Sequence, residues 1–330
     1  MSGKKYIGIT ERLIRKSPLS PFTTAIIIFL VIISFAATSA YFVGEFDFFV
    51  LDIGVYTVIF GFAILLWGET FVGESARISS EKIAQEFNFQ TPVDEFLDGV
   101  FNIKARLVVG LVVAAFFLGM YELLGFWYDS IMMITLGRIF ACVLGFVVGE
   151  LIVAAYNLLF GTRNLVIKLY GKIDIFDFDQ TSKVEGLATV CFQSASIGGL
   201  AGFFALFGML FAPWRSTRLV AEIPILLIGA LLLLCFVIFV VPMNAIHKVL
   251  KYAHEEKKSV ISKKLVKLYE SVVTDNVKTS IKNMEAIHTL KNQIDVIAIW
   301  PLDVKKAIGY ITPILGVIIE TLILVMLGRI

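Results

Sequence analysis

Charged residues inside long apolar stretches are the feature of this sequence most able to do chemistry. The 330-residue chain has 29 Lys and Arg and 27 Asp and Glu, and seven of these charges interrupt apolar runs: Asp52, Glu69, Glu122, Arg138, Glu150, Glu222 and Glu320. An ionisable side chain inside a bilayer is costly, and it typically pairs, faces a water-filled cavity or takes part in ion movement. Each of the seven is therefore a candidate for a structural ion pair or for a permeation or gating site.

Position along the apolar runs separates these candidates. Asp52, Glu69 and Glu222 each lie within four residues of a run's end, so we expect them to reach water. Glu150 lies eight residues from the end of an overlong run. We expect it near the inner membrane surface, and we keep it as a pore or gating candidate.

Arg138 and Glu320 are the strongest candidates. Each lies eight residues from the predicted outer end of its run, which is about 12 Å of helix. Charges at that depth should be paired or share a cavity. Glu122, five residues from its own outer end, is a rival partner for Arg138, and both pairings stay open. The pair is interpreted either as a helix-locking ion pair or as a gate or permeation-path charge.

The run 188–212 has no charge but carries a face of polar and small residues. Gln193, Ser194 and Ser196 stand there together with Gly198 and Gly202. Small residues four apart allow close helix contact, and Gly145 and Gly149 repeat the pattern in another run. We favour helix packing as the role of this face. A hydrophilic pore lining is the alternative.

The elements that must position these residues are membrane-spanning helices. Hydrophobic residues make up 58% of the chain, and the mean hydropathy is +0.86. A hydrocarbon core of about 30 Å needs roughly 20 apolar residues, which must be helical to satisfy their own backbone. Seven runs are long enough: 22–43, 49–72, 107–127, 130–158, 188–212, 219–243 and 308–328.

The distribution of Lys and Arg predicts the orientation. Twenty-five of the 29 basic residues lie in four alternate segments: 1–21, 73–106, 159–187 and 244–307. Basic residues concentrate on the cytoplasmic side of membrane proteins. The sequence therefore predicts an all-α, multi-pass protein of the cell membrane with seven spans, its N-terminus inside and its C-terminus outside. G-protein-coupled receptors and retinal proteins have the reverse orientation and are excluded.

The segments outside the membrane are also predicted to be helical. Thr91 and Pro92 are typical of a helix start, and an apolar stripe follows from Val93 to Phe101. This helix either lies in the inner interface or packs on other cytoplasmic helices. Two further stripes, separated by a turn near 274–276, predict a helical hairpin. Trp300 and Pro301 end it and form a hinge before the last span.

The predicted organisation therefore has four parts. They are a cytoplasmic N-terminal segment, a six-helix membrane region with cytoplasmic loops 73–106 and 159–187, a cytoplasmic helical hairpin, and a final membrane helix: 1–21, 22–243, 244–300 and 301–330.

Signs of enzyme chemistry or a cofactor are missing from the sequence. Cys142, Cys191 and Cys235 stand singly within apolar runs, and no histidine lies in a predicted span. Phosphate-binding loops, nucleophile elbows and zinc-protease motifs are absent. We predict a protein that is not an enzyme and that uses no cofactor or metal. The low charge content also argues against a nucleic-acid partner.

Three functions fit this organisation. The first is a homo-oligomeric ion channel with the last helix near the pore and the cytoplasmic helices in assembly or gating. The second is a membrane-embedded scaffold or sensor whose lysine-rich hairpin contacts a cytoplasmic partner or anionic lipid. The third is a secondary transporter, against which the sequence shows no internal repeat.

The order of parts resembles that of insect odorant and gustatory receptor channels. The shared features are an inside N-terminus, an outside C-terminus and cytoplasmic helices before the last membrane helix. In that family the last helix lines a tetrameric pore, so the resemblance implies a tetramer. It covers topology alone: Gly309-Tyr310-Ile311-Thr312-Pro313 stands near the end here instead of the family's Thr-Tyr signature, so no residue roles carry over.

Overall fold

A computed structural model describes residues 6–124, 129–173, 178–211, 218–274, 285, 287–289 and 291–292. Of these described residues 89% are helical, and none of them lies in a strand. The helices are α1 Ile9–Ile14, α2 Pro21–Phe42, α3 Phe46–Leu51, α4 Ile53–Phe87, α5 Gln90–Val100, α6 Ile103–Leu124, α7 Ile131–Lys168, α8 Phe178–Phe211 and α9 Arg218–Thr274. The predicted all-α class is confirmed.

Five helical segments within the described residues are long and apolar enough to span a membrane. They are Pro21–Phe42, Ile53–Phe87, Gln90–Glu122, Ile131–Lys168 and Lys183–Phe204. They correspond to the first five predicted spans. The sixth prediction, 219–243, falls in the first half of α9, and the seventh, 308–328, lies outside the described residues. Five candidate spans are therefore supported rather than seven, and the orientation stays a prediction.

The helices continue well beyond the apolar runs that predict them. At ~1.5 Å per residue, α4 is about 52 Å long and α7 about 57 Å, against a hydrocarbon core of about 30 Å. The apolar run ends near residue 72, but α4 continues to Asn88, which has the left-handed conformation (φ 52°) typical of a helix end. Charge density thus marked the end of the predicted span but not the end of the helix.

At the end of the bundle opposite α1, polar caps fix the connections between helices. Asp52 is buried, and its Oδ1 accepts a hydrogen bond from the Val55 backbone N–H at 3.1 Å, which caps α4. The prediction that Asp52 reaches water is therefore wrong. Glu45 Oε1 accepts from the backbone N–H groups of Asp129 and Ser130, so the loop before α7 is tied to the loop before α3.

Three apolar clusters form the interior of the described part of the chain. The smallest, around Ala40, Phe49 and Met133, lies at the end with the Asp52 cap. The second packs α2, α4 and α7 together around Phe62 and Val147. The largest lies at the α1 end and joins Tyr6 with parts of α4, α5, α7, α8 and α9. The largest cluster thus lies mainly where the helices extend past the predicted spans.

Helix α5 is packed inside the largest cluster. The whole predicted stripe is buried, at 1–6% exposure: Val93, Phe96, Leu97, Val100 and Phe101. The Phe96 ring lies against Gly161 of α7, where an added Cβ would be 2.7 Å from the ring. Of the two predicted positions for this helix, packing on other helices is therefore the one observed. The prediction that this helix starts with Thr91 as its N-cap is wrong, because α5 begins at Gln90 and Thr91 lies in its first turn.

Helix α9 is one unbroken helix of 57 residues, about 86 Å long. Its middle part packs on α7 and α8 through buried apolar residues, which are Met243, Ile246, Val249, Leu250 and Ala253. Tyr252 stacks on Tyr170 with ring centroids 4.0 Å apart. The description of α9 stops at Thr274, so the turn predicted near 274–276 falls at the edge of the described residues and stays a prediction. Most of the second hairpin arm lies outside the described residues.

Small residues let α6 and α7 approach closely, as the glycine spacing predicts. A Cβ on Gly145 would be 2.8 Å from the Ala114 Cα, and one on Gly149 would be 2.6 Å from the Gly110 Cα. Both contacts are with backbone atoms, which cannot move aside as a side chain can. Gly145 and Gly149 therefore serve helix packing.

We predict that Gly149→Ala destabilises the protein by about 1–3 kcal/mol, because its new methyl group would force α6 and α7 apart. Gly119→Ala on α6 is the control, since nothing lies within 4 Å of a Cβ there. Removal of a helical glycine should leave that variant unchanged or slightly more stable. Denaturant unfolding in detergent measures both, and equal effects would contradict the packing role.

Candidate functional site

Five charged side chains from four helices are buried together at the α1 end of the bundle. They are Glu11 of α1, Glu69 and Arg77 of α4, Arg106 of α6 and Glu150 of α7, and none is more than 7% exposed. We refer to these five residues as the ionic cluster. Because these charges are buried, water does not solvate them. Hydrogen bonds and neighbouring opposite charges must compensate for the lost hydration.

Helix geometry gives the ionic cluster two halves. Glu69 and Arg77 are eight residues apart on α4, which separates them by about 12 Å along the helix axis. In the first half Arg77 pairs with Glu11, and in the second half Arg106 pairs with Glu69. Glu150 lies on the Arg106 side, with its Oε1 4.0 Å from Arg106 Nη1.

The first half is a bidentate ion pair. Arg77 Nη2 donates to Glu11 Oε1 at 2.5 Å, and Arg77 Nη1 donates to Glu11 Oε2 at 3.1 Å. Arg77 Nη1 also donates to the Tyr6 carbonyl at 2.6 Å. Arg15, one helical turn after Glu11, donates to Glu11 Oε1 at 2.7 Å and to the exposed Glu74 at 3.1 Å. Two-point contacts of this kind fix direction as well as distance.

In the second half, the polar atoms of Arg106 and Glu69 have fewer hydrogen bonds than those of the first half. Arg106 Nη1 donates to Glu69 Oε1 at 2.6 Å, and Arg106 Nε donates to the Val100 carbonyl at 3.0 Å. The other oxygen of Glu69, Oε2, is fully buried and has no hydrogen-bond partner. A carboxylate oxygen left in this way is unusual, because buried polar atoms are nearly always paired.

Glu150 holds the start of α1. Its carboxylate accepts from the backbone N–H groups of Ile9 and Thr10, each at 3.2 Å, and from the Thr10 hydroxyl. A negative charge at this end suits the helix dipole. A helix of six residues has no stability of its own. Its position therefore depends on Glu150 at one end and on Glu11 in the middle.

An aromatic ring and a glycine complete the surroundings. The Phe101 ring lies beside both guanidinium groups, with centroid distances of 5.2 Å to Arg77 Cζ and 5.4 Å to Arg106 Cζ. Cations are attracted to ring faces at this distance. Gly8 lets the backbone pass close to Arg106 and Glu69, because a Cβ there would be 2.3 Å from Arg106 Nη1 and 2.6 Å from Glu69 Oε1.

The sequence identified only part of this site. Glu150 was a candidate, but its observed contact is a cap on α1. The prediction that Glu69 reaches water is wrong, because its side chain is 3% exposed and is paired with Arg106. Glu11, Arg77 and Arg106 lie outside the predicted spans, so charge within apolar runs does not point to them. A signal was available: small residues continue along α4 past the apolar run, at Gly73, Ala76, Ser80 and Ala84.

Arg138 forms its ion pair with Glu122, one of its two predicted partners. Arg138 Nε donates to Glu122 Oε1 at 2.7 Å and Nη2 donates to Oε2 at 3.2 Å, with side-chain exposures of 45% and 41%. Glu320, Trp300 and Pro301 lie outside the described residues.

The polar face of α8 is separate from the ionic cluster. Gln193, Ser194 and Ser196 are half-buried, and no hydrogen bond or ion pair of the described residues joins them to the cluster. Gln193 Oε1 is buried without a hydrogen-bond partner. The neighbouring Ile197 packs onto Gly68 of α4, where an added Cβ would be 2.2 Å from Ile197 Cγ2. This helix therefore makes a close contact with α4, and a pore-lining role for its polar face stays a prediction.

The described ranges contain no group of three or more His, Cys, Asp or Glu residues placed to hold a metal ion. No protein-family model, curated protein or solved structure matches the chain.

We predict that Arg106→Met destabilises the protein by about 3–5 kcal/mol, because it leaves the Glu150 carboxylate without its nearby cation and Glu69 without its hydrogen-bond donor. Adding Glu69→Gln should recover part of that loss, since it replaces a buried carboxyl group that has lost its donor with a neutral amide. Lys104→Met is the matched control, because Lys104 is exposed on the same helix. Unfolding in detergent measures all three. A small effect of Arg106→Met, similar to that of Lys104→Met, would contradict the compensation.

Proposed function

We propose that the chain is the subunit of a homo-oligomeric ion channel of the cell membrane, gated through its helices outside the membrane. The observation that carries this proposal is the continuity of α9. One helix joins the predicted sixth span, 219–243, to a long extension beyond it. A movement of that extension must therefore reach the membrane without passing through a flexible loop.

The packing of α9 supports this coupling. Between Met243 and Ala253 it is buried against α7 and α8, within the largest apolar cluster. A rotation or tilt there would act on two candidate spans at once. In the proposed mechanism Trp300 and Pro301 form the hinge of the final helix, 308–328. That helix carries Glu320 near the pore.

Exposed side chains support assembly into an oligomer. Beyond its packed part, α9 carries apolar residues at 44–64% exposure, which are Val260, Val266 and Tyr269. Neighbouring subunits would bury such residues. The Arg138–Glu122 pair is also more than 40% exposed on candidate spans, which favours contact with headgroups, a water-filled path or another subunit. The remaining pore or gating candidates are Glu150, Gln193, Ser194 and Ser196.

A scaffold or sensor is the second candidate, and the same part of α9 favours it. Its exposed lysines, Lys258, Lys263, Lys264 and Lys267, form a basic surface suited to anionic lipid or to an acidic partner. A secondary transporter has less support, because α2, α4, α6, α7 and α8 are each unbroken, whereas transporter sites are typically built from broken helices.

We predict that the purified protein is a ring-shaped oligomer and conducts ions in planar bilayers. Oligomeric state in detergent and single-channel recording test this. Glu320→Gln should change the conductance or the open probability, whereas Glu285→Gln, at an exposed position outside the predicted spans, should not.

Two outcomes would count against the channel, and a third would bear on the role of its charged residues alone. A monomer with no ion flux would contradict it. A protein that shows no conductance, and that no longer binds a partner or lipid vesicles when 250–297 is deleted, would support the scaffold instead. If Glu320→Gln and Arg138→Gln both leave a measured flux unchanged, the two charges have a structural role alone.

A further inference from the structure

We propose that the ionic cluster is a binding site for one proton, carried by Glu69, and that this proton keeps helix α1 docked in the bundle. Proton binding here does not depend on whether the chain conducts ions.

The charges of the ionic cluster do not balance without an added positive charge. It holds three carboxyl groups, on Glu11, Glu69 and Glu150, but two guanidinium groups, on Arg77 and Arg106. Arg15, a described cation beside the cluster, does not supply the difference, because it bridges Glu11 to Glu74 and so brings one positive and one negative charge together. Among the described residues one negative charge is therefore left over in a buried site, where an unpaired ion is very costly.

The geometry points to Glu69 as the proton's position. Glu11 has both oxygens bonded to Arg77, and Glu150 has both oxygens bonded to the start of α1. Glu69 has one oxygen on Arg106, and its Oε2 is buried without a partner. A proton taken from solvent forms an O–H bond at this oxygen and neutralises the carboxylate.

The groups around Glu69 determine how the loss of its proton affects the rest of the ionic cluster. Arg106 faces it from α6, Glu150 from α7 and Glu11 from α1, and Arg77 lies farther along α4. On the α8 side the neighbouring contact is apolar, from Ile197 onto Gly68. Loss of the proton therefore adds a charge that repels two carboxylates and competes with Glu150 for Arg106.

Helix α1 is the element that this charge would release. Glu11 and Glu150, the two repelled carboxylates, also hold α1, whose buried apolar residue is Ile14. The other helices of the site are much longer and have apolar contacts of their own. Helix α1 is therefore docked while Glu69 is protonated, and a rise in pH that removes the proton loosens it.

Infrared spectroscopy of the full-length protein in detergent tests the proton directly. A pH titration should show the C=O stretch of a protonated carboxyl group, and this band should disappear at high pH. It should be absent in Glu69→Gln and retained in Glu95→Gln, whose carboxylate is exposed. A band that persists in Glu69→Gln, or that is missing from the wild type at every pH, would overturn the assignment.

Hydrogen exchange of the wild-type protein tests the docking, and it needs no variant to fold. After correction for intrinsic rates, protection of residues 9–14 should fall at least about tenfold as pH rises through the infrared transition. In Glu69→Gln the protection should not depend on pH. Protection that stays constant in the wild type would overturn the link to α1. Protection restored at high pH by Na⁺ in place of choline would assign the site to a metal cation instead.

Discussion

Compensation of buried charge is the constraint on which this structure depends. Arg106 enters the bundle from the start of α6 and meets Glu69 of α4 beside Glu150 of α7. Because each of these groups would be unstable alone, the three helices are held in one arrangement. Helix α1 is added to the same network through Glu11, so the N-terminal segment becomes part of the interior. Apolar packing stabilises the bundle, and the charges select how its α1 end is arranged.

The candidate membrane-spanning helices were predictable because hydropathy and backbone satisfaction act locally. The run 22–43 differs from α2 by one residue at each end, and the run 107–127 begins four residues after the start of α6. The extensions were not predictable from hydropathy. Between residue 73 and Asn88 the sequence of α4 is polar, and it stays helical because its small and apolar residues pack into the largest cluster. The burial of the stripe on α5 could be anticipated, but its partner α7 could not.

The candidate site was harder to predict because it depends on pairing between distant parts of the chain. Charges within apolar runs point to Glu69, Glu150 and the Arg138–Glu122 pair. That pattern does not include Glu11, which belongs to a short basic segment that looks solvent-exposed and is buried by α4 and α7. Arg77 and Arg106 lie just past the apolar runs, where arginine is ordinarily expected to reach water. Their burial follows from tertiary packing.

The central claim is that the buried charges act as one coupled unit that fixes α1 to the bundle. A double-mutant cycle of Glu11→Gln and Arg77→Met, followed by unfolding in detergent, tests it most directly. The account predicts that the double variant loses less stability than the two single variants together, with a coupling energy of about 1–3 kcal/mol. Losses that add to within about 0.5 kcal/mol would contradict it. In that case Glu11 and Arg77 would be neighbours without being energetically dependent on each other.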